Sequence, residues 1–349
     1  MNEKRILIAK SDLTAAANSG AMAPQDVETL WTALEATSRS PQERSFDIAQ
    51  LFWYAGGALV MLAMGWFMER AWEAHSLYAV LALSLGYTAA FAGLGYKLRF
   101  QSGFRIPGAV LYLLAVLMTP FTVSALLEIT HLNLELMGEK SALLIEGATL
   151  LVALLVLRTV RVSLLTAPVF GTLWLLSMTA AALITGQHGL FFGIGGDNFE
   201  FVSMTIGAAI LALAFFVDLN WGRDEEDYSW WGYLFGTAAF WIPLSMLDSG
   251  SELGKFLYFL LNIGLMISSV VLSRRVLLLA GALGSVGYVG HLIWTFFSGS
   301  LALPLVLIVA GLAVIYLGLQ YRRHQADIER MVLDLVPEPV RKRLPGRRA

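Results

Sequence analysis

Residues 254–297 read GKFLYFLLNIGLMISSVVLSRRVLLLAGALGSVGYVGHLIWTFF. Two apolar runs, 254–273 and 276–297, are joined by Arg274 and Arg275 alone. At about 1.5 Å per residue, about 20 helical residues cover a hydrocarbon core of about 30 Å. Two such runs with a basic turn between them describe a transmembrane hairpin whose turn stays on the side that retains positive charge. The pattern recurs outward from there. Apolar runs lie at about 48–68, 77–96, 107–128, 142–158, 162–184, 200–218, 229–247, 254–273, 276–297 and 300–320. The fourth is short and contains Glu146.

Composition agrees. Of 349 residues, 57% are hydrophobic and 14% charged, whereas an ordinary soluble domain has about 45–50% apolar and about 25% charged residues. A surface that poor in charge excludes a soluble enzyme or a nucleic-acid-binding protein. An all-α polytopic transmembrane bundle of about ten spans remains. The chain has no cysteine, which excludes a disulfide, a thiolate nucleophile, an iron–sulfur cluster and a cysteine zinc site.

The basic residues set the expected orientation. With the N-terminus cytoplasmic, 21 of the 24 Lys and Arg residues fall on the inner side, leaving Arg70, Lys140 and Lys255 outside. This positive-inside split also supports the span count, because a missed helix would scramble it. Trp53, Trp66, Trp72, Trp221, Trp230, Trp231 and Trp294 fall near span ends, as an aromatic belt requires. Both termini are expected on the cytoplasmic side.

Three regions follow. Residues 1–45 form a cytoplasmic helical segment, with Pro24 at a helix start, Asp26 in the first turn and an apolar stripe of Val27, Leu30, Trp31 and Leu34. A segment this small cannot build its own core, so it is expected to dock on the membrane part or on a protein partner. The first long apolar run begins only near residue 48, so no cleaved leader is expected. Residues 46–320 form the bundle. Residues 321–349 form a basic tail, in which Arg341, Lys342, Arg343, Arg347 and Arg348 would be drawn to anionic lipids at about 1 kcal/mol each.

Several spans share a pattern after their basic turn: Gly171-Thr172, Gly236-Thr237 and Gly284-Ser285, with a weaker version at Gly108. This predicts repeated helical hairpins in one orientation, with small residues allowing close backbone approach. Gly281, Gly284, Gly287 and Gly290 extend the ridge at every third position. Packing is its first reading and a ligand groove its second.

Ionisable groups inside a bilayer cost at least about 2.5–3.5 kcal/mol and so are functional candidates. Glu146, His291 and Glu128 fall at similar depth toward the outer side, and His75, His131 and His188 lie in outer loops. Together they suggest an outward vestibule for a ligand, a cation or a proton, His and carboxylate being suitable ligands for zinc-like ions. No HxxxH or HExxH spacing is present, so no metal site is assigned. Snorkelling of Glu128 and Glu146, with Lys140 as partner, is the plainer reading. Asp248–Glu252 reads as a capping turn or a cation loop, and Asp224–Asp227 as a solvated turn or a docking point. No nucleophile elbow occurs, so no catalytic residue and no cofactor is assigned.

The segments Ser19–Leu30, Phe46–Gly57, Asp248–Gly254 and Gly281–His291 resemble stretches of bacterial polytopic membrane proteins of unknown function. The resemblance implies an inner-membrane location and no particular activity. Three functional classes are expected from the sequence: a non-enzymatic scaffold, sensor or accessory protein of the envelope; a transporter or channel for a small solute or ion; and an intramembrane enzyme acting on lipid.

Overall fold

The computed structural model describes residues 26–37, 48–74, 76–130, 139–186, 197–221, 226–247 and 250–298, with isolated positions from 13 to 25 and from 300 to 323. Among these residues the chain is helical and contains no strand. It divides into two units, Met1–Ala55 and Gly56–Ala349. The first contains α1 (Asp26–Thr37), which carries Asp26 and Glu28 in its first turn and buries Val27. Acids there complement the positive end of the helix dipole.

Helix α2 (Ile48–Glu73) begins in the first unit and continues into the second. The remaining helices are α3 (Leu77–Tyr96), α4 (Arg105–Leu117), α5 (Thr119–Ile129), α6 (Glu139–Val160), α7 (Thr166–Thr185), α8 (Asp197–Trp221), α9 (Trp230–Met246), α10 (Glu252–Leu272) and α11 (Arg275–Phe297). Among the described residues, eight helical segments are long and apolar enough to cross a membrane. The 17-residue α9 follows α8 as its antiparallel partner. The tenth apolar run is described only in part, with residues 303–309 helical.

The outer surface of the bundle suits lipid. Leu59, Val60, Met61 and Leu62 are exposed in succession. Residues about 100° apart around a helix cannot share one face, so α2 is apolar around its perimeter, as a helix bathed in hydrocarbon must be. The chain is thus built as a multi-pass membrane protein.

Packing runs as a row of neighbours. Helix α3 packs on α4 and α5, α6 on α5 and α7, α7 on α8 and α9, and α9 on α11, which pairs with α10. One buried cluster joins Met64, Met68, Val80, Met118 and Ala125. Another joins Phe170, Ile210, Ala214, Tyr233, Ala239 and Leu277. The third apolar run is broken: α4 ends at Leu117 and α5 begins at Thr119, with Pro120 in its first turn. Proline has no N–H for the carbonyl four residues back and its ring crowds that carbonyl, so the helix restarts. Thr122 then donates to Ser84 on α3 at 2.9 Å and to the Met118 carbonyl at 3.1 Å.

The repeated hairpin has a geometric counterpart. The turns into α4, α7 and α11 each contain a left-handed residue, Gly103 (φ 75°), Arg161 (φ 48°) and Ser273 (φ 54°). Each is followed by an extended one, Phe104, Val162 and Arg274. Left-handed backbone is costly outside glycine, so Arg161 and Ser273 must be held by their surroundings. The α8–α9 hairpin departs from this scheme: it carries a longer connection, whose described end is Glu226–Ser229.

Candidate functional site

At the end of the bundle where these three turns gather, residues 226–229 form a strap. Arg105 at the start of α4 contacts Glu226 Oε1 at 2.6 Å. Glu226 Oε2 accepts from the backbone N–H of Ser163, in the turn before α7. Tyr228 donates its hydroxyl to the Arg161 carbonyl at 2.9 Å. Asp227 accepts from both terminal nitrogens of Arg274, with the Nη2 contact at 2.9 Å. One short acidic segment therefore ties all three basic turns.

Arg274 is the centre of this cluster. Its Nη2 also donates to Asp218 at the end of α8, at 3.0 Å, and to the Ser229 hydroxyl at 2.5 Å. Its guanidinium lies 4.7 Å from the Tyr233 ring centre, within cation–π range. Burial pushes the Arg274 pKa down, but hydrogen bonding and charge from Asp227, with Asp218 adding to both, hold it above the ordinary arginine value. Sequence singled out Asp224–Asp227 as a solvated turn or a docking point and Arg274 as part of a basic turn, but neither Asp218 nor the joining of these groups. Two signals for it were present: Asp218 is an acid at the end of an apolar run, and Asp224–Asp227 lies on the same side as the basic turns. A solvated turn is not what Glu226 and Asp227 make.

The sequence-predicted residues occupy separate places. Glu146 lies on α6, where Oε1 accepts from Thr179 of α7 at 2.9 Å. Its Oε2 is buried with no hydrogen-bond partner among the described residues. Glu128 is half-buried in the last turn of α5. His291 lies on α11, with Nε2 3.9 Å from Glu252 Oε1 on α10. Helix α6 packs on α4, α5 and α7, whereas α11 packs on α9 and α10, so Glu146 and His291 do not meet in one cluster. Positions 75, 131 and 188, and Asp248 with Ser249, lie outside the described residues, as does the basic tail beyond Arg323. Of the 248–252 turn, Ser251 caps α10, its hydroxyl accepting from the Gly254 N–H at 3.1 Å.

His291 lines a cleft of about 520 Å³ between α9, α10 and α11. That volume is in the usual range for ligand pockets. Leu244, Leu257 and Leu261 give it apolar walls, while Ser245, Lys255, Tyr258, Tyr288 and His291 bring polar groups. Beside it, Asn262 is fully buried, accepts from Trp241 Nε1 at 2.9 Å and donates to the Tyr258 carbonyl at 2.8 Å. It joins α9 to α10, and sequence reasoning passed over it because a single Asn in an apolar run carries no spacing signal. Among the described residues, no three His, Asp or Glu side chains converge as a metal ion would need.

The glycines divide in two groups. A Cβ on Gly284 would sit 2.0 Å from Asn262 Oδ1, and one on Gly281 would sit 2.5 Å from the Asn262 carbonyl oxygen. On Gly171 and Gly236 it would meet Phe235 at 3.4 Å and Leu211 at 3.1 Å. On Gly287 or Gly290 it would meet nothing within 4 Å, and Gly287 lines the cleft. Gly207 comes as close to a neighbouring helix backbone, since a Cβ there would lie 2.5 Å from Ala239 C. Pro243, four residues beyond Ala239, has no N–H to offer that carbonyl.

No protein-family model, no curated protein and no solved structure matches the chain, so its own side chains carry its functional reading.

Proposed function

We propose that this chain is a non-enzymatic scaffold, sensor or accessory protein of a bacterial inner membrane, with both termini in the cytoplasm and the strap on the cytoplasmic side. The observation that carries the reading is the strap itself. Glu226, Asp227 and Tyr228 tie the turns of three hairpins at once, and a buried ion cluster that spans several helices resists the relative motion that alternating access requires. A fixed plate of turns suits a protein that holds partners in register. The cytoplasmic segment 1–45 supplies a candidate contact for a protein partner, and the basic tail a contact for anionic lipids.

The test uses the absence of native cysteine. Arg158 and Arg275 are exposed at the ends of two different hairpins. Spin labels at Arg158→Cys and Arg275→Cys, read by electron–electron distance measurement in vesicles, should give one narrow distribution. Two populations that exchange under an ion or solute gradient would sink the scaffold reading and favour transport.

Transport is the second reading, and one observation favours it. Glu146 is an acid inside an apolar helix with an unpartnered buried oxygen, which is where a translocated cation or proton would bind.

A further inference from the structure

We propose that the cleft between α9, α10 and α11 holds one phospholipid with an ammonium-bearing headgroup of the phosphoethanolamine class. The inference stands apart from the strap, because the cleft lies at the opposite end of the bundle. Helix α10 runs from its mouth toward Arg274, and His291 lies near the far end of α11.

The mouth carries three groups of complementary chemistry. Lys255 Nζ sits 2.7 Å from Glu252 Oε1, and His291 Nε2 lies 3.9 Å from that same oxygen. The last distance is beyond hydrogen-bonding range, and His291 Nε2 is buried without a hydrogen-bond partner among the described residues. A phosphate would take an N–H from Lys255, with the His291 ring lining the cleft beside it. Glu252 would then accept from the headgroup ammonium. A plain anion would use the Lys255 donor and leave the carboxylate beside it repulsive; a headgroup with both charges uses both side chains.

Below the mouth the cleft becomes apolar. Leu244, Leu257 and Leu261 line it, and Leu257 and Leu261 are about half exposed (52% and 48%). Such a wall gives an acyl chain continuous apolar contact. From Lys255 to Leu261 the helix advances about 9 Å at about 1.5 Å per residue, enough for the upper part of one chain. Gly287 lines the same space, and its missing side chain leaves that space empty.

The full-length protein, purified in a non-ionic detergent, is titrated with phosphatidylethanolamine, phosphatidylcholine or inorganic phosphate and read by native mass spectrometry. One phosphatidylethanolamine per chain should be retained. Phosphatidylcholine, whose quaternary ammonium has no N–H to donate to Glu252, should bind about tenfold more weakly, and Lys255→Ala should weaken phosphatidylethanolamine by a similar factor. Gly287→Leu should abolish retention without lowering the unfolding temperature, since nothing lies within 4 Å of its Cβ and leucine is a stronger helix former than glycine. Undiminished binding to a folded Gly287→Leu protein would overturn the site. Equal binding of both lipids would overturn the headgroup assignment, and competition by inorganic phosphate alone would make it a small-anion site. Independently of that variant, a phosphatidylethanolamine with a photoreactive group beside its acyl carbonyl should label residues 254–261 or 284–291, and labelling confined elsewhere would refute the proposal.

Discussion

The Arg274 guanidinium donates to Asp218 at 3.0 Å while the two side chains are only 5% and 0% exposed. Arg274 begins the α10–α11 hairpin's second helix and Asp218 ends α8, so a desolvated ion pair links two hairpins. With Asp227 and Ser229 it fills most of the arginine fork. Because its pKa is raised, the cation's contribution is complete below the ordinary arginine value and is lost only as pH rises beyond it. Acid or neutral pH therefore leaves the arginine itself charged.

Arg274→Gln should destabilise the protein by about 3–5 kcal/mol, because it removes the cation from two buried or part-buried carboxylates. Arg274→Lys should recover only part of that, since one ammonium cannot reproduce a planar fork on Asp218, Asp227 and Ser229. Unfolding of the detergent-solubilised protein measures both. A loss under 1 kcal/mol in Arg274→Gln would show that the cluster does not hold the turns.

Glu226→Gln should cost less, about 1–2 kcal/mol, and locally. The amide still accepts from Ser163 but loses its charge toward the part-exposed Arg105. Hydrogen exchange should rise in residues 103–106 and 161–166 and stay unchanged at 251–262, on the far side of the bundle. Uniform acceleration would mean that the strap is not a local clamp.

Gly207→Ala and Gly284→Ala should each destabilise by about 1–3 kcal/mol, as an overpacked interface does. Gly207 faces backbone, which cannot move aside, so it should be the worse of the two. Gly290→Ala, with open space around it, should be neutral or should gain up to about 1 kcal/mol from helix propensity. Thermal unfolding ranks the three, and a reversed order would contradict the packing.

Reporter fusions after Arg99 or Arg274 should behave as cytoplasmic, and fusions after Glu135 or Asp248 as external. This follows from the distribution of Lys and Arg. One reversed pair is enough to reject the orientation.

Glu146→Gln should leave folding intact, since an amide oxygen can still accept from Thr179. Under the transport reading, the same change should abolish stabilisation of the protein by added cations or by low pH. A stability response to ions identical to that of the unaltered protein would remove Glu146 from any transport role.

The span pattern was legible because hydropathy is a local sum. Each run from 254–273 to 276–297 announces a helix whatever it packs against, and Arg274-Arg275 announces the turn. The repeated Gly-Ser/Thr pattern also pointed to close packing, and Gly281 and Gly284 do meet Asn262. The break at Met118 has a local signal in the sequence, Pro120 within the third apolar run. Glu146, Glu128 and His291 were legible as ionisable groups in apolar surroundings. Their neighbours were not, and Asp218, an acid in the same kind of setting, was passed over.

Sequence alone determined that this is an all-α chain with long apolar helices and basic turns, because burial in a bilayer constrains composition residue by residue. Tertiary structure alone decided that Glu226 reaches Arg105, that Asp218 and Asp227 share Arg274, and that Glu146 and His291 stand apart. Those facts depend on how each helix is rotated and which helix lies beside it. Helix rotation and neighbour choice follow from side-chain packing between segments far apart in the chain, on which a hydropathy profile is silent.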